Sequence, residues 1–143
     1  MNRFDNAEIL SKSLVGVEFE FYSNKDIGTT AKELGILLSK KIRVEDKSHS
    51  DFVPTKNEWK IEPDMSGGEK LMELVTGAQP YTDARLLIIR VSQWIKANGF
   101  TNDRTSIHLN LSFDTDKIEN KRRIHSMNVL KFILEFDEDT VFS

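Results

Sequence analysis

Two segments of the chain alternate apolar and polar residues with a period of two, and this pattern constrains the fold more than any other feature. Residues 105–113 alternate Ile107, Leu109, Leu111 and Phe113 with Ser106, His108, Asn110 and Ser112. Residues 13–22 alternate Val15, Val17, Phe19 and Phe21 with Gly16, Glu18, Glu20 and Tyr22. Because successive side chains of a strand point to opposite sides, the period predicts two half-buried strands.

Turn residues and a second pair of alternating segments predict a hairpin in the middle of the chain. Residues 57–63 and 69–76 alternate, and the turn sequence 64–68 lies between them. A polar segment with a proline, residues 47–56, predicts a loop before the first of these strands. Such a hairpin requires antiparallel pairing.

Helical spacing of apolar residues predicts three helices. The first spans 29–41 with Thr30 as its N-cap, and the second spans about 83–98 with Gly99 in its C-cap. The third spans 126–135. Strands and helices mix without regular alternation, so we predict an α+β fold, an antiparallel sheet with helices packed on one face and the other face open. With 143 residues and neither repeats nor a linker, residues 1–143 are predicted to form a single domain.

Composition and charge exclude several classes of protein. The net charge of −3 argues against a nucleic-acid partner, so the basic segment 117–131 favours a solvated surface over a nucleic-acid patch. The longest apolar run, 86–89, is far short of the roughly 20 residues of a membrane span, and the N-terminus does not resemble a signal peptide. Zero cysteines exclude disulfides and thiolate chemistry. We therefore expect a cytoplasmic protein without a membrane partner.

The polar sides of the predicted strands carry the candidate functional residues. If the strands pair in one sheet, one open surface receives Glu18, Glu20, Lys60, Glu73, His108 and Asn110. Carboxylates with a single imidazole suit Mg²⁺ or Mn²⁺ better than zinc. A polar series on an antiparallel strand is also what a plain solvent-facing surface looks like, and the alternation alone leaves both interpretations open.

Other motifs are weaker. The turn from Asp64 to Gly68 suits a phosphate-binding or substrate-binding loop, or a turn alone. The chain contains no dinucleotide-binding glycine motif, no P-loop and no nucleophile elbow.

Three segments taken together resemble a known family. LVGVEFEFYS (14–23), WKIEPDMSGGEKLMELVTG (59–77) and TNDRTSIHLNLSF (101–113) are similar, in order, to the signatures of the amidoligases. These are carboxylate–amine ligases similar to glutamate–cysteine ligase and glutamine synthetase. The resemblance covers about residues 14–113 and implies a glutamine synthetase-like antiparallel sheet, curved around a site for ATP and metal.

The resemblance also implies roles for individual residues. Glu18 and Glu20 match carboxylates that hold Mg²⁺ bridging the ATP phosphates, Glu73 matches a further metal ligand, and His108 matches the first position of an H-x-[HN] strand. The implied metal ligands are thus Glu18, Glu20, Glu73 and His108, and we assign ATP binding to Glu18, Glu20 and Lys60. Catalytic contacts are assigned to Asp64 and Ser66, which match a D-x-S turn, and to Asn110, where many relatives have a second His.

The implied reaction joins a small-molecule or peptide carboxylate to an amine at the expense of ATP. Enzymes of this family are generally longer than this chain. The resemblance covers their metal-binding half. Three interpretations follow, namely a truncated enzyme, a minimal enzyme completed by homo-oligomerisation, and a non-catalytic binding or assembly protein on the same sheet.

Overall fold

The computed structural model describes residues 14–66, 68 and 70–112, which form an α+β fold. In chain order the elements are β1 (Leu14–Ser23), α1 (Ile27–Leu38), β2 (Lys41–Val44), β3 (Glu58–Pro63), β4 (Leu71–Val75), β5 (Gln79–Pro80), α2 (Tyr81–Asn98), β6 (Gly99–Phe100) and β7 (Ile107–Ser112). The helix predicted at 126–135 and the basic segment 117–131 lie outside the described residues. The single-domain prediction for 1–143 extends past them and stays a prediction.

Strand β1 is the centre of the sheet. Glu18 and Phe19 pair with β4 on one side and with β7 on the other, both antiparallel. The short strands β5 and β6 also pair with β1, and the antiparallel β3–β4 hairpin extends the sheet beyond β4. These pairings confirm the predicted strands and the predicted hairpin. The alternation of apolar and polar residues predicts them because it determines the side of the sheet to which each side chain points.

The prediction of a purely antiparallel sheet is wrong, because β2 pairs with β3 in parallel and the sheet is mixed. The helix predicted over 29–41 overlaps the start of β2 at Lys41. That helix ends at Leu38, where Ser39 takes a left-handed conformation with φ of 53° and donates its N–H to carbonyls of the last turn. Strand β2 alternates Lys41 and Arg43 with Ile42 and Val44, but its four residues are mostly exposed and the pattern is too short to identify a strand.

The helix starts also differ from the prediction. Asp26, and not Thr30, caps α1, because its side chain accepts the Thr29 N–H at 2.9 Å. Thr30 is buried, and its hydroxyl lies 2.9 Å from that of Ser23.

Gly99 is the C-cap of α2 in an extended conformation, not a left-handed one. A Cβ at Gly99 would collide with the Tyr22 carbonyl oxygen, so the β1–β6 pairing requires glycine there.

Both helices contribute to one hydrophobic core with the apolar side of the sheet. The buried cluster includes Val15, Val17, Phe19, Phe21, Leu34, Trp59, Ile61, Leu74, Leu87, Val91 and Ile95. Each fully buried side chain of this size stabilises the fold by about 1.5–3 kcal/mol. Neither described helix has the length and apolar content needed to cross a membrane. Helix packing on this side leaves the polar side of the sheet for other contacts.

Strand β7 departs from the predicted half-buried strand. Its apolar side chains Ile107, Leu109 and Leu111 are 45–55% exposed. In the described part of the chain, α1 packs mainly on β2 and β3, while α2 packs mainly on β1, β5 and β6. The apolar side of β7 therefore lies outside the area that these two helices cover.

Candidate functional site

The strand register gathers glutamates into a row across three strands. Glu73 on β4 lies opposite Glu20 on β1 and opposite Glu62 on β3. Directly opposed residues of an antiparallel pair have Cβ atoms about 4.5–5.5 Å apart, and like charges at that distance destabilise the sheet. The row is therefore an energetic liability unless protons, cations or hydrogen-bond donors compensate it.

A second row lies beside the first. Lys60 on β3 lies opposite Val75 on β4, Val75 opposite Glu18 on β1, and Glu18 opposite His108 on β7. Asn110 is two residues farther along β7 and so points to the same side. The register thus places the six side chains named from the sequence on one side of the sheet. We call this surface, with Glu62 and Ser106, the polar face.

Glu73 is the most perturbed group of the polar face. Its burial raises the pKa of the carboxyl to about 7, with further contributions from the negative charges of Glu18, Glu62 and Glu20. The described residues provide the Glu73 carboxylate with no hydrogen bond and no ion pair. A half-buried carboxyl with this pKa is a feature of functional sites more often than of plain surfaces.

Strand β7 and the residue before it hold the two carboxylates of β1. The Asn110 side-chain amide donates to Glu18 Oε1 at 2.7 Å, and His108 Nδ1 lies 3.2 Å from Glu18 Oε2. The Ser106 hydroxyl donates to Glu20 Oε2 at 2.7 Å and lies 3.0 Å from His108 Nε2. Ser106 belongs to the polar series of 105–113 but is not among the residues predicted for the site.

Lys60 and Glu62 form a buried ion pair at the β3 end of the polar face. Their side chains are 9% and 1% exposed, and Lys60 Nζ lies 2.8 Å from Glu62 Oε2. The ammonium also donates to the carbonyl and hydroxyl of Ser50 at 3.1 and 3.3 Å. Lys60 is therefore engaged within the protein, and Ser50 belongs to the predicted loop, which lies against this end of the face.

Hydrogen bonds to the loop keep Glu62 ionised. Its carboxylate accepts the backbone N–H groups of His49 at 2.9 Å and Ser50 at 3.2 Å. Burial alone would raise the pKa of Glu62, but the hydrogen bonds from Lys60, Ser50 and His49 outweigh burial and lower it. Glu62 and Glu73 are neighbours whose pKa values are displaced in opposite directions, because only Glu62 has donors.

Asp64 and Ser66 lie in the β3–β4 turn. The Ser66 N–H donates to Asp64 Oδ1 at 2.8 Å, and the Asp64 N–H donates to the Leu71 carbonyl at 2.9 Å. The Asp64 side chain therefore stabilises its own turn. These contacts match the turn interpretation of the segment, and no contact joins either residue to the carboxylates of the polar face within the described chain.

The donor chemistry of the polar face suits a hard divalent cation, because its central groups are carboxylates. Across residues 14–66, 68 and 70–112, however, no three His, Asp or Glu side chains are placed together as a metal-binding group. The contacts above explain this arrangement. Glu18 and Glu20 are directed to donors of β7, Glu62 is directed to Lys60, and Glu73 remains between them.

Comparisons with protein-family models, curated proteins and solved structures gave no match.

Proposed function

We propose that the polar face binds a divalent cation with ATP and that the protein is a carboxylate–amine ligase of the amidoligase type, with a glutamine synthetase-like sheet. The observation that carries the proposal is the state of Glu73. Its carboxyl is half-buried, has no donor among the described residues, and faces three other carboxylates. Evolution removes such repulsion readily when it serves no purpose, and functional sites are where it is retained.

A hard cation is the partner that best compensates this cluster. Glu18, Glu20 and Glu73 would hold Mg²⁺ or Mn²⁺, with His108 as the single imidazole of the set. These cations prefer oxygen ligands and commonly bind through a few carboxylates together with substrate phosphates. When bound, such a cation neutralises charge on a transferring phosphoryl group.

The protein's own residues would position the reactants. In this reaction class the substrate carboxylate receives the terminal phosphoryl group of ATP, and the amine then displaces phosphate to form the amide. No side-chain nucleophile is required, in agreement with the absence of cysteine. Lys60 is held by Glu62 and Ser50, so we place it in the support of the site. A cytoplasmic location, where ATP and magnesium are abundant, fits this proposal.

A thermal-shift experiment tests the proposal. At about 100 times Kd, Mg²⁺ with a non-hydrolysable ATP analogue stabilises a protein by about 2.7 kcal/mol, which raises the Tm by several degrees. We expect this rise in the wild type and its loss in Glu18→Gln and Glu73→Gln. The matched control is Glu33→Gln on α1, which makes the same chemical change in a carboxylate bound to Lys25 and should keep the full response.

Two results would contradict the proposal at different levels. No shift in the wild type at millimolar nucleotide and Mg²⁺ would rule out the ligase. A full shift in Glu73→Gln would instead show that nucleotide binds without the assigned cation ligand.

A second candidate function is binding or assembly without catalysis. It is favoured by the exposed aliphatic side chains of β7 at the edge of the described sheet, because an exposed edge strand is a surface that other chains can cover. Light scattering during size-exclusion chromatography separates the alternatives. A stable homo-oligomer that does not respond to nucleotide would favour assembly, whereas a nucleotide response in either state would favour the ligase.

A further inference from the structure

The two edges of the described sheet differ in chemistry. Strand β2 pairs only with β3, and its Lys41 and Arg43 form ion pairs with Glu58 and Glu45. In the described part of the chain β7 pairs only with β1, and its sequence IHLNLS contains no Lys, Arg, Asp, Glu or Pro. Charged side chains and prolines commonly protect an edge strand from pairing with another chain. Strand β7 is longer than β2 and lacks both kinds of protection.

The hydrogen bonds of β7 identify which of its backbone groups lie at the open edge. The Glu20 N–H donates to the Ser106 carbonyl at 2.9 Å, one step beyond the Phe19–Ile107 pair of the β1–β7 register. In an antiparallel pair, residues that exchange hydrogen bonds alternate with residues that do not. The even-numbered residues of β7 therefore bond to β1. The residues that direct their N–H and C=O groups to the open edge are Ile107, Leu109 and Leu111.

The side chains of the same three residues form the apolar side of β7, and each is 45–55% exposed. The opposite side of the strand carries His108 and Asn110, which hydrogen-bond to Glu18. A strand that matches this edge is therefore apolar on one side, polar on the other and free of charges that would be buried. Strand β7 of a second copy meets all three requirements.

We propose that two copies of the chain pair through β7, antiparallel, across a two-fold axis at Leu109. In this register Leu109 lies opposite Leu109 of the second copy, and Ile107 lies opposite Leu111. Both pairs are apolar and both join backbone groups of the open edges, so each pair exchanges hydrogen bonds. On the polar side His108 lies opposite Asn110, and no like charges meet. An axis at Asn110 would instead oppose backbone groups already bonded to β1.

The pairing makes one continuous sheet from two copies. It covers the three exposed aliphatic side chains of each β7 and removes the unprotected edge, and the two-fold axis closes the assembly at a dimer. The polar faces of the two copies then lie side by side, with His108 of one beside Asn110 of the other. The dimer does not depend on ligase activity, so each can exist without the other.

Sedimentation velocity of the full chain without nucleotide, from about 1 to 100 µM, tests the dimer. We expect a dimer in the wild type and a monomer in Leu109→Lys, which places two ammonium groups opposite each other at the axis and raises the dimer Kd more than about tenfold. The matched control is Leu86→Lys on α2, since Leu86 and Leu109 are both 55% exposed. Leu86→Lys should stay a dimer, and both variants should keep the wild-type circular dichroism spectrum.

Disulfide cross-linking tests the register, because the chain has no cysteine of its own. Residues of a hydrogen-bonded antiparallel pair have Cα atoms about 5.5 Å apart, within the range of a disulfide. Leu109→Cys should therefore form a covalent dimer rapidly under mild oxidation. Leu111→Cys should not, because the two copies of that residue would lie about 14 Å apart along the paired strands.

Three results would each overturn the inference. The first is a wild type that stays monomeric, whether another segment of the chain covers β7 or the edge remains open. The second is a dimer that survives Leu109→Lys, and the third is cross-linking of Leu111→Cys as fast as that of Leu109→Cys. All three leave the ligase proposal standing, and the absence of a thermal shift with nucleotide would leave the dimer standing.

Discussion

Replacing Glu73 by glutamine should stabilise the protein at neutral and alkaline pH. Glutamine has almost the same shape but no charge, so it removes both the cost of burying the charge and the repulsion from Glu18, Glu62 and Glu20 without creating a cavity. The folded state holds a proton on Glu73 up to about pH 7, whereas the unfolded chain releases it near 4.5. Between these values the folded state binds more protons, so wild-type stability decreases as pH rises through this window.

The size of the stabilisation follows from how far the pKa of Glu73 is raised in the folded state. A change from 4.5 to about 7 corresponds to at most about 3.4 kcal/mol at 1.36 kcal/mol per unit. Because Glu73 is only half-buried, solvent screening reduces this value, and we expect about 2 kcal/mol. The two proteins should be equally stable near pH 4, diverge between pH 4.5 and 7, and keep a constant difference above pH 7.

Urea denaturation at pH 4, 6 and 8, with chelator present, measures this difference directly. Glu33→Gln is the control, since the hydrogen bond from Lys25 lowers the pKa of Glu33 and its charge is favourable in the folded state. That variant should gain no stability at pH 8. The reasoning is refuted if Glu73→Gln is less stable than the wild type at pH 8, or if the difference is the same at pH 4 and pH 8.

Two further substitutions test the surroundings of the face. Glu62→Gln should destabilise the protein by about 3 kcal/mol at pH 7, because it leaves the buried Lys60 ammonium without its counter-charge. Since the pKa of Glu62 is lowered, its contribution is present above pH 4.5 and is lost at lower pH, so the two denaturation curves should converge in acid. Asp26→Ala should lower the Tm by removing the cap of α1, and Asp26→Ser should recover most of the loss. Equal losses in the alanine and serine variants would contradict the capping role.

The sequence predicted the polar face well because a strand has one geometric rule. In β1 the period of two alone assigns Glu18 and Glu20 to one side and Phe19 to the other. The same rule applied to β3, β4 and β7 identifies each polar side chain, and pairing in one sheet then brings them together. The local pattern was sufficient to predict the polar face, because the alternation within each strand determines which of its side chains lie on that face.

Features that depend on distant partners could not be predicted in this way. Ser106 is significant because of a contact with Glu20, 86 residues earlier in the chain, and nothing near Ser106 indicates that contact. Strand β2 exists because β3 offers it a free edge. Thr30 looks like a cap in isolation, but Asp26 is better placed for capping, and the Thr30 hydroxyl instead meets that of Ser23.

The central position of β1 has a consequence for synthesis of the protein. Its pairing partners are β4, β5, β6 and β7, all of which are translated later, up to Ser112. At a synthesis rate of roughly 5–20 residues per second, β1 stays without its partner strands for several seconds on the ribosome. Uncharged strands of this kind are prone to aggregate, and charges within them suppress it. Glu18 and Glu20 place two such charges in β1, so we expect them to lower its tendency to aggregate before its partner strands are made.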